Sequence, residues 1–237
     1  MIDSVTAIER VLSRGSSFPS VVTTASGRRY VMKLSGAGPG RRALATELVA
    51  LGLARHIGLN VPAAAVLSLP RDLPWQVGTD EFYEAVQRSA GLNLGVAYLA
   101  GAEDVRAAEL ASLPESFLGP LAGADALLQN FDRTASNPNV MRDSPGACWA
   151  IDFGACLLLE RLARRACEPT LDLPSNHFLA ADHRFERGAE AAARGISAWH
   201  TSEIVHALPD AWVDDLAIAR EELLARLDGY LARLHGG

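Results

Sequence analysis

Two acidic sites of different kinds stand close together between Asp125 and Leu158. The first is Asn130-Phe131-Asp132-Arg133-Thr134, followed by Asn137-Pro138-Asn139. The second is Asp152-Phe153-Gly154, at the end of Cys148-Trp149-Ala150-Ile151. Asp132 and Asn137 are five residues apart, and Pro138 restricts the backbone of Asn137, so one loop can aim both side chains into one cleft. Between the two sites, Arg142-Asp143-Ser144-Pro145-Gly146 reads as a hairpin turn. The hairpin would carry Asp152 back beside the loop. An amide oxygen (Asn137) and a carboxylate (Asp152) are hard ligands suited to Mg²⁺, which binds through few protein oxygens together with phosphates and water. That leaves Asp132 to take a proton from an attacking hydroxyl. Alone, each piece is most often a turn; in this order and with a hairpin-sized gap, the set is far more specific.

Such a site needs a cation for the phosphates. Ser20 to Ala25 and Arg29 to Leu34 read as two strands around a Ser26-Gly27 turn. The second contains Tyr30-Val31-Met32-Lys33, a strand ending in lysine as in the strand that carries the phosphate-binding lysine of protein kinases. Lys33 on a half-buried face needs partners, and a phosphate and Glu47 would supply them. Residues 41–57 have helical spacing in Leu44, Leu48 and Leu51, with Gly58 as the stop and Glu47 beside the apolar stripe.

The remaining stretches give weaker signals. The Gly15-Ser16-Ser17 loop could cover nucleotide phosphates with its N–H groups and hydroxyls. Residues 35–42 (SGAGPGRR) lack the Lys-Ser/Thr of a phosphate loop and read as a flexible link into the helix. A buried strand is expected within 59–69, a helical stretch near 80–89, and another strand over 93–100. By position along the chain this is where a protein kinase has its inter-lobe hinge, and on that likeness Ala97, Tyr98 and Leu99 would lie against adenine. Residues 104–113 and 118–128 fit helices leading into the Asp132 loop. Arg161, Arg164 and Arg165 read as a solvated helix face that could meet an acidic substrate. His177, His183, His200 and His206 have no tight metal-ligand spacing. Residues 209–234 form one amphipathic helix or a pair.

Composition sets the bounds. The chain has 237 residues, 49% of them hydrophobic, enough for a sizeable core. A net charge of −6 argues against direct nucleic-acid binding and against an anionic membrane surface. No long apolar run marks a membrane helix and no basic-apolar leader is visible, so a cytoplasmic protein is expected. Cys148, Cys156 and Cys167 are odd in number and widely spaced, as expected of buried thiols.

The segment from Asn130 to Gly154 resembles the HipA-like kinase family, whose catalytic segment reads roughly Asn-x-Asp-Arg-Thr-x-x-Asn-Pro-Asn, then a hairpin ending in Ile-Asp-x-Gly. Each of those positions is matched here. Thr46-Glu47-Leu48-Val49 resembles the family's Asn/Thr-Glu-Leu-Val helix. The resemblance is dense over residues 29–67 and 125–158. It implies an α+β, two-lobed protein-kinase-like fold, with a small β-rich lobe over residues 1–100 and a mainly helical lobe over 101–237. It also implies transfer of the ATP γ-phosphoryl group, with Mg²⁺, to a hydroxyl, in the first instance serine or threonine of a protein. On this resemblance Asp132 serves the acceptor, Asn137 and Asp152 hold the metal, and Lys33, steadied by Glu47, fixes the phosphates. Ser16 and Ser17 become candidate autophosphorylation sites, and an antitoxin-like partner protein is implied by the family's toxins. A small-molecule or lipid kinase of the same fold, or a nucleotide-binding pseudokinase acting through a partner, are the alternatives.

Overall fold

The computed structural model describes residues 2–12, 17–75, 77–169, 172–185 and 188–235. It begins with three antiparallel strands, β1 (Asp3–Val11), β2 (Ser20–Thr24) and β3 (Arg29–Lys33). Runs of Val, Thr and Tyr favour these strands because branched and aromatic side chains pack well on a pleated surface. Gly27, at φ 78°, makes the β2–β3 turn. Helix α1 (Arg41–His56) follows, then β4 (Ala64–Leu69), helix α2 (Asp80–Arg88) and β5 (Gly91–Ala97). The strands close a barrel in the order β1-β2-β3-β5-β4, with β1 joining β4 in parallel through Asp3 and Leu67. Inside lie Val5, Ile8, Val22, Met32, Leu67 and Leu69, sealed by Phe82, Ala85 and Val86 of α2.

Helix α1 does not sit on the barrel as a surface helix would. Every residue from Leu44 to Leu51 is buried, which is why its apolar residues do not stay on one stripe. It packs against β4 and β5 on one side and against the helices of the second half on the other. Close approach there depends on Gly52, where a Cβ would lie 2.8 Å from Ile204.

The second half is mainly helical. A two-residue strand β6 (Glu103–Asp104) leads to a 3-10 turn at Ala107–Ser112, then helix α3 (Glu115–Leu128). The sequence reads as helix over 104–113, but Leu113 precedes Pro114 and is extended at ψ 136°. A residue before proline is disfavoured in the α region, and here the turn ends there. The expected hairpin is present as β7 (Val140–Arg142) and β8 (Cys148–Ala150), with Gly146 at φ 93° in its turn. Helices α4 (Leu158–Arg164), α5 (Gly188–Ala193), α6 (Ala198–His206), α7 (Asp210–Leu216) and α8 (Arg220–His235) complete it. The C-terminal stretch is a pair of helices, parted at Ala217 in the left-handed region (φ 56°). Leu223, Leu227, Tyr230 and Leu231 of α8 are buried. The three cysteines are free and buried. Among the described residues no helix is long and apolar enough to cross a membrane.

Candidate active site

Lys33 ends β3 and meets two carboxylates. Its Nζ donates to Glu47 Oε1 and Oε2 at 2.7 and 2.6 Å and to Asp152 Oδ1 at 2.7 Å. The expected Lys33–Glu47 pair is thus formed, and Asp152 joins it from the far end of the hairpin. Lys33 is also the only lysine of the chain, against 21 arginines. A compact ammonium fits between two carboxylates where a planar guanidinium would not. That count was a sequence signal for Lys33 stronger than its place in the strand.

Each partner is aimed by its element. Asp152 lies two residues past β8 at φ 58°, so the chain turns sharply there and Phe153 drops into the core at 0% exposure. The Phe153 amide donates to Glu47, which ties α1 to this turn. Gly154 completes the approach: a Cβ there would come within 3.4 Å of Glu47 Oε2. Burial pushes Glu47 above the usual carboxylate range and nearby Asp152 adds to it, with Lys33 opposing. Burial would lower Lys33, but Glu47 and Asp152 outweigh it and hold the ammonium above its ordinary value. Counted formally, one cation facing two carboxylates gives this cluster a charge of −1.

Asp132 occupies a tight loop. Its Oδ2 accepts from Asn137 Nδ2 at 3.0 Å and Asn139 Nδ2 at 3.2 Å, and its carbonyl accepts from the Thr134 amide. Asn137 uses Nδ2 on Asp132, so Oδ1 is the atom of this amide a cation could use. Asn139, at φ 48°, is part of the motif the sequence shows but had no role assigned to it there. Its carbonyl accepts from the Ile151 amide at 2.9 Å, joining the Asp132 loop to the turn that carries Asp152.

A second charged cluster, passed over in the sequence reading, lies beneath the loop. Arg133 and Asp125 are both fully buried and form an ion pair through Arg133 Nε and Asp125 Oδ2. Arg133 Nη1 donates to the carbonyls of Pro138 and Asn139, each at 2.8 Å, and its guanidinium lies 4.9 Å from the Phe153 ring centre. Asn130 Nδ2 donates to Asp125 Oδ1 at 2.8 Å. His177 Nδ1 accepts the Leu179 amide, so the ring proton is on Nε2 and faces Asp125 Oδ2 at 2.9 Å. Burial would raise Asp125, but Arg133, His177 and Asn130 hold it below its ordinary range. The Cys156 thiol is pushed well up by burial and by Asp125.

The other expected residues fall elsewhere. Gly15 and Ser16 lie outside the described residues; the carbonyl of Ser17 accepts from the amide of Leu34, next to Lys33. Ala97, Tyr98 and Leu99 are not part of the charged cluster. The Ala97 and Tyr98 amides are spent on the carbonyls of Ala63 and Arg29, and the Leu99 carbonyl accepts from Ala102. The Tyr98 ring is flanked by Arg29, and its hydroxyl takes a hydrogen bond from Arg10. It thus stands at the opposite end of β3 from Lys33, roughly 13 Å away by strand rise. Arg161 bonds Gln129 and Arg164 bonds Glu160, so neither is a bare platform.

A barrel strand lysine paired to a helix glutamate, with an aspartate delivered by a hairpin and another by the preceding loop, belongs to the kinase class of fold. The structure is similar to that of the Helicobacter pylori proinflammatory kinase CtkA, with a TM-score of 0.56 and 14% identity over 100% of this chain and 94% of that one. A weaker likeness, TM-score 0.47 and 10% identity, relates it to a Golgi casein kinase over 98% of this chain and 71% of that one. The chain belongs to the HipA-like kinase family, whose model matches residues 5–234. A search of curated proteins gave no match.

Proposed function

We propose that the protein transfers the γ-phosphoryl group of ATP to a hydroxyl, in the first instance that of serine or threonine in a protein. The observation that carries this reading is the meeting of Lys33, Glu47 and Asp152 beside an Asp132 held by two asparagines. The finer organisation we propose is two lobes, residues 1–100 and 101–237, with the nucleotide between them.

In this reading Lys33 binds phosphate oxygens, and Glu47 keeps its ammonium charged and in place. Asp132 orients the acceptor hydroxyl, whose oxygen attacks the γ-phosphorus. The bond from that phosphorus to the β–γ bridging oxygen breaks, ADP leaves, and the hydroxyl proton passes to Asp132. Asn137 Oδ1 and the Asp152 carboxylate are the all-oxygen donor set that suits Mg²⁺, and the formal charge of −1 in the Lys33 cluster favours a cation there. When bound, Mg²⁺ supplies neutralisation of phosphate charge. Ser17, and with it Ser16, are the proposed autophosphorylation sites, and Ala97 to Leu99 the proposed adenine edge.

The test is label transfer from γ-labelled ATP, wild type beside Asp132→Ala, with label followed on serine and threonine by mass spectrometry. Label on protein in wild type alone supports the reading. Label that appears only on an added sugar or lipid moves the acceptor to a small molecule. Bound nucleotide with no transfer at all supports the pseudokinase and overturns the proposal.

A further inference from the structure

Residues 35–40, between β3 and α1, connect the strand that ends in Lys33 to the helix that carries Glu47. The sequence reads this connector as a flexible link. It is instead pinned, at two successive amides, to two buried side chains distant in the chain. The Ser35 amide donates to Asn93 Oδ1 at 2.8 Å, and the Gly36 amide to Ser89 Oγ at 2.8 Å. Ser89 and Asn93 are both at 0% exposure. Their remaining groups are satisfied: Ser89 Oγ donates to the Ala85 carbonyl, and Asn93 Nδ2 to the carbonyls of Ser89 and Gly91.

The fit at Gly36 is close. A Cβ there would meet Arg88 Cβ at 2.6 Å and Ser89 Oγ at 2.9 Å, and Arg88 Nε donates to the Gly36 carbonyl. The same helix, α2, also touches the end of the loop before β2: Phe82 packs edge-on against Phe18 at 6.1 Å between ring centres. Helix α2 and the turn after it therefore grip both segments that lead to the proposed phosphate site. Lys33 pairs with Leu94 in the β3–β5 register, so Asn93 holds the connector one residue from the strand position opposite the lysine.

We infer that Ser89 and Asn93 are positioning residues of the nucleotide site, setting the approach of Lys33 to Glu47 through the connector. For catalysis this rests on the kinase reading above; the effect on Lys33 does not. Two buried acceptors meeting two consecutive backbone amides leave the connector a single seat. Losing one acceptor strands a half-buried donor, and the connector relieves it by lifting toward solvent. That lift separates Lys33 from Glu47 and leaves the fold intact.

The experiment uses the full chain and two variants that loosen the seat from opposite sides, Ser89→Ala and Gly36→Ala. Lys33 is the only lysine, so an amine-acylating reagent with peptide mass spectrometry reads its burial directly. Both variants are expected to label at Lys33 roughly fivefold faster than wild type, and to raise KM for ATP by a similar factor with a smaller change in kcat. A fall in melting temperature with Lys33 labelling and KM for ATP as in wild type makes the role merely structural and overturns the inference. Faster labelling in the variants of a protein that neither binds nor turns over ATP supports the seat on Lys33 and overturns the kinase reading instead. If one variant does not fold, the other decides.

Discussion

Two clusters of charge, one on either side of the Asp132 loop, are built from similar parts and differ in two respects. In the cleft, Lys33 faces Glu47 and Asp152, and the Asp152 side chain is 45% exposed. Beneath the loop, Arg133 faces Asp125 alone among ionised groups, both at 0% exposure, with a neutral His177 and an amide filling the other positions. The buried cluster is balanced and closed. The cleft cluster has one negative charge too many and an open side. Removing ions from water costs several kcal/mol each, so a buried cluster persists only when its charges are matched, as here, where a single nitrogen, Arg133 Nη2, has no hydrogen-bond partner among the described residues. A half-open cluster with uncompensated charge is what a site needs if it is to take up a cation and a polyphosphate. The lower cluster is scaffold: through the Pro138 and Asn139 carbonyls and the Phe153 ring it fixes the backbone that presents Asp132, Asn137 and Asp152.

The sharpest way to break this comparison is to damage each cluster and ask what is lost. Asp132→Ala, which removes the carboxylate on the loop between them, should lower turnover by roughly 10²- to 10⁴-fold with little change in melting temperature, as measured by label transfer and calorimetry. Arg133→Met should do the reverse. It leaves Asp125 buried and unpaired, which costs about 3–5 kcal/mol, or roughly 10 °C in melting temperature for a chain of this size. Activity at low temperature should then fall far less than in Asp132→Ala.

Acid sharpens the contrast further. Asp125 sits below its ordinary value of 3.8 in the folded chain, so it contributes stability above that pH. This contribution is lost as pH falls through the depressed folded value, and Asp125→Asn should flatten the loss measured by urea melts below about pH 4. The smallest effect is expected at His177→Phe, which removes one donor to Asp125 and leaves Arg133 and Asn130 in place. A cost of about 1–2 kcal/mol in chemical denaturation is expected, with KM for ATP unchanged.

The cleft residues were legible because each carries its chemistry within a short span. Asp132, Asn137 and Asp152 lie among turn residues, Lys33 ends a strand-like run, and Glu47 stands in a helical run stopped by Gly58. The scaffold was not legible, because its partners are distant: His177 meets Asp125 across 52 positions, and neither has a local pattern. Arg133 was read as part of the motif, yet nothing local says that it points inward. The connector misled for the same reason, since Asn93 is 58 positions from Ser35 and only the closed barrel brings them together. Residues 104–113 were read as helix from composition, and the proline that follows decided otherwise. Ala97, Tyr98 and Leu99 were placed by position along the chain alone, so their role beside adenine stays a proposal, with the Ala97 and Tyr98 amides already bonded to the Ala63 and Arg29 carbonyls.

The unbalanced cleft is tested most directly by the melting temperature with and without Mg²⁺ and ATP, in wild type, Asp152→Ala and Asp125→Asn. At ligand near a hundred times the dissociation constant, wild type should gain about 5–10 °C. Asp125→Asn should start lower and gain as much, and Asp152→Ala should start near wild type and gain little. An equal gain in wild type and Asp152→Ala, or no gain in wild type, would contradict the assignment of the Lys33–Glu47–Asp152 cluster to nucleotide and metal.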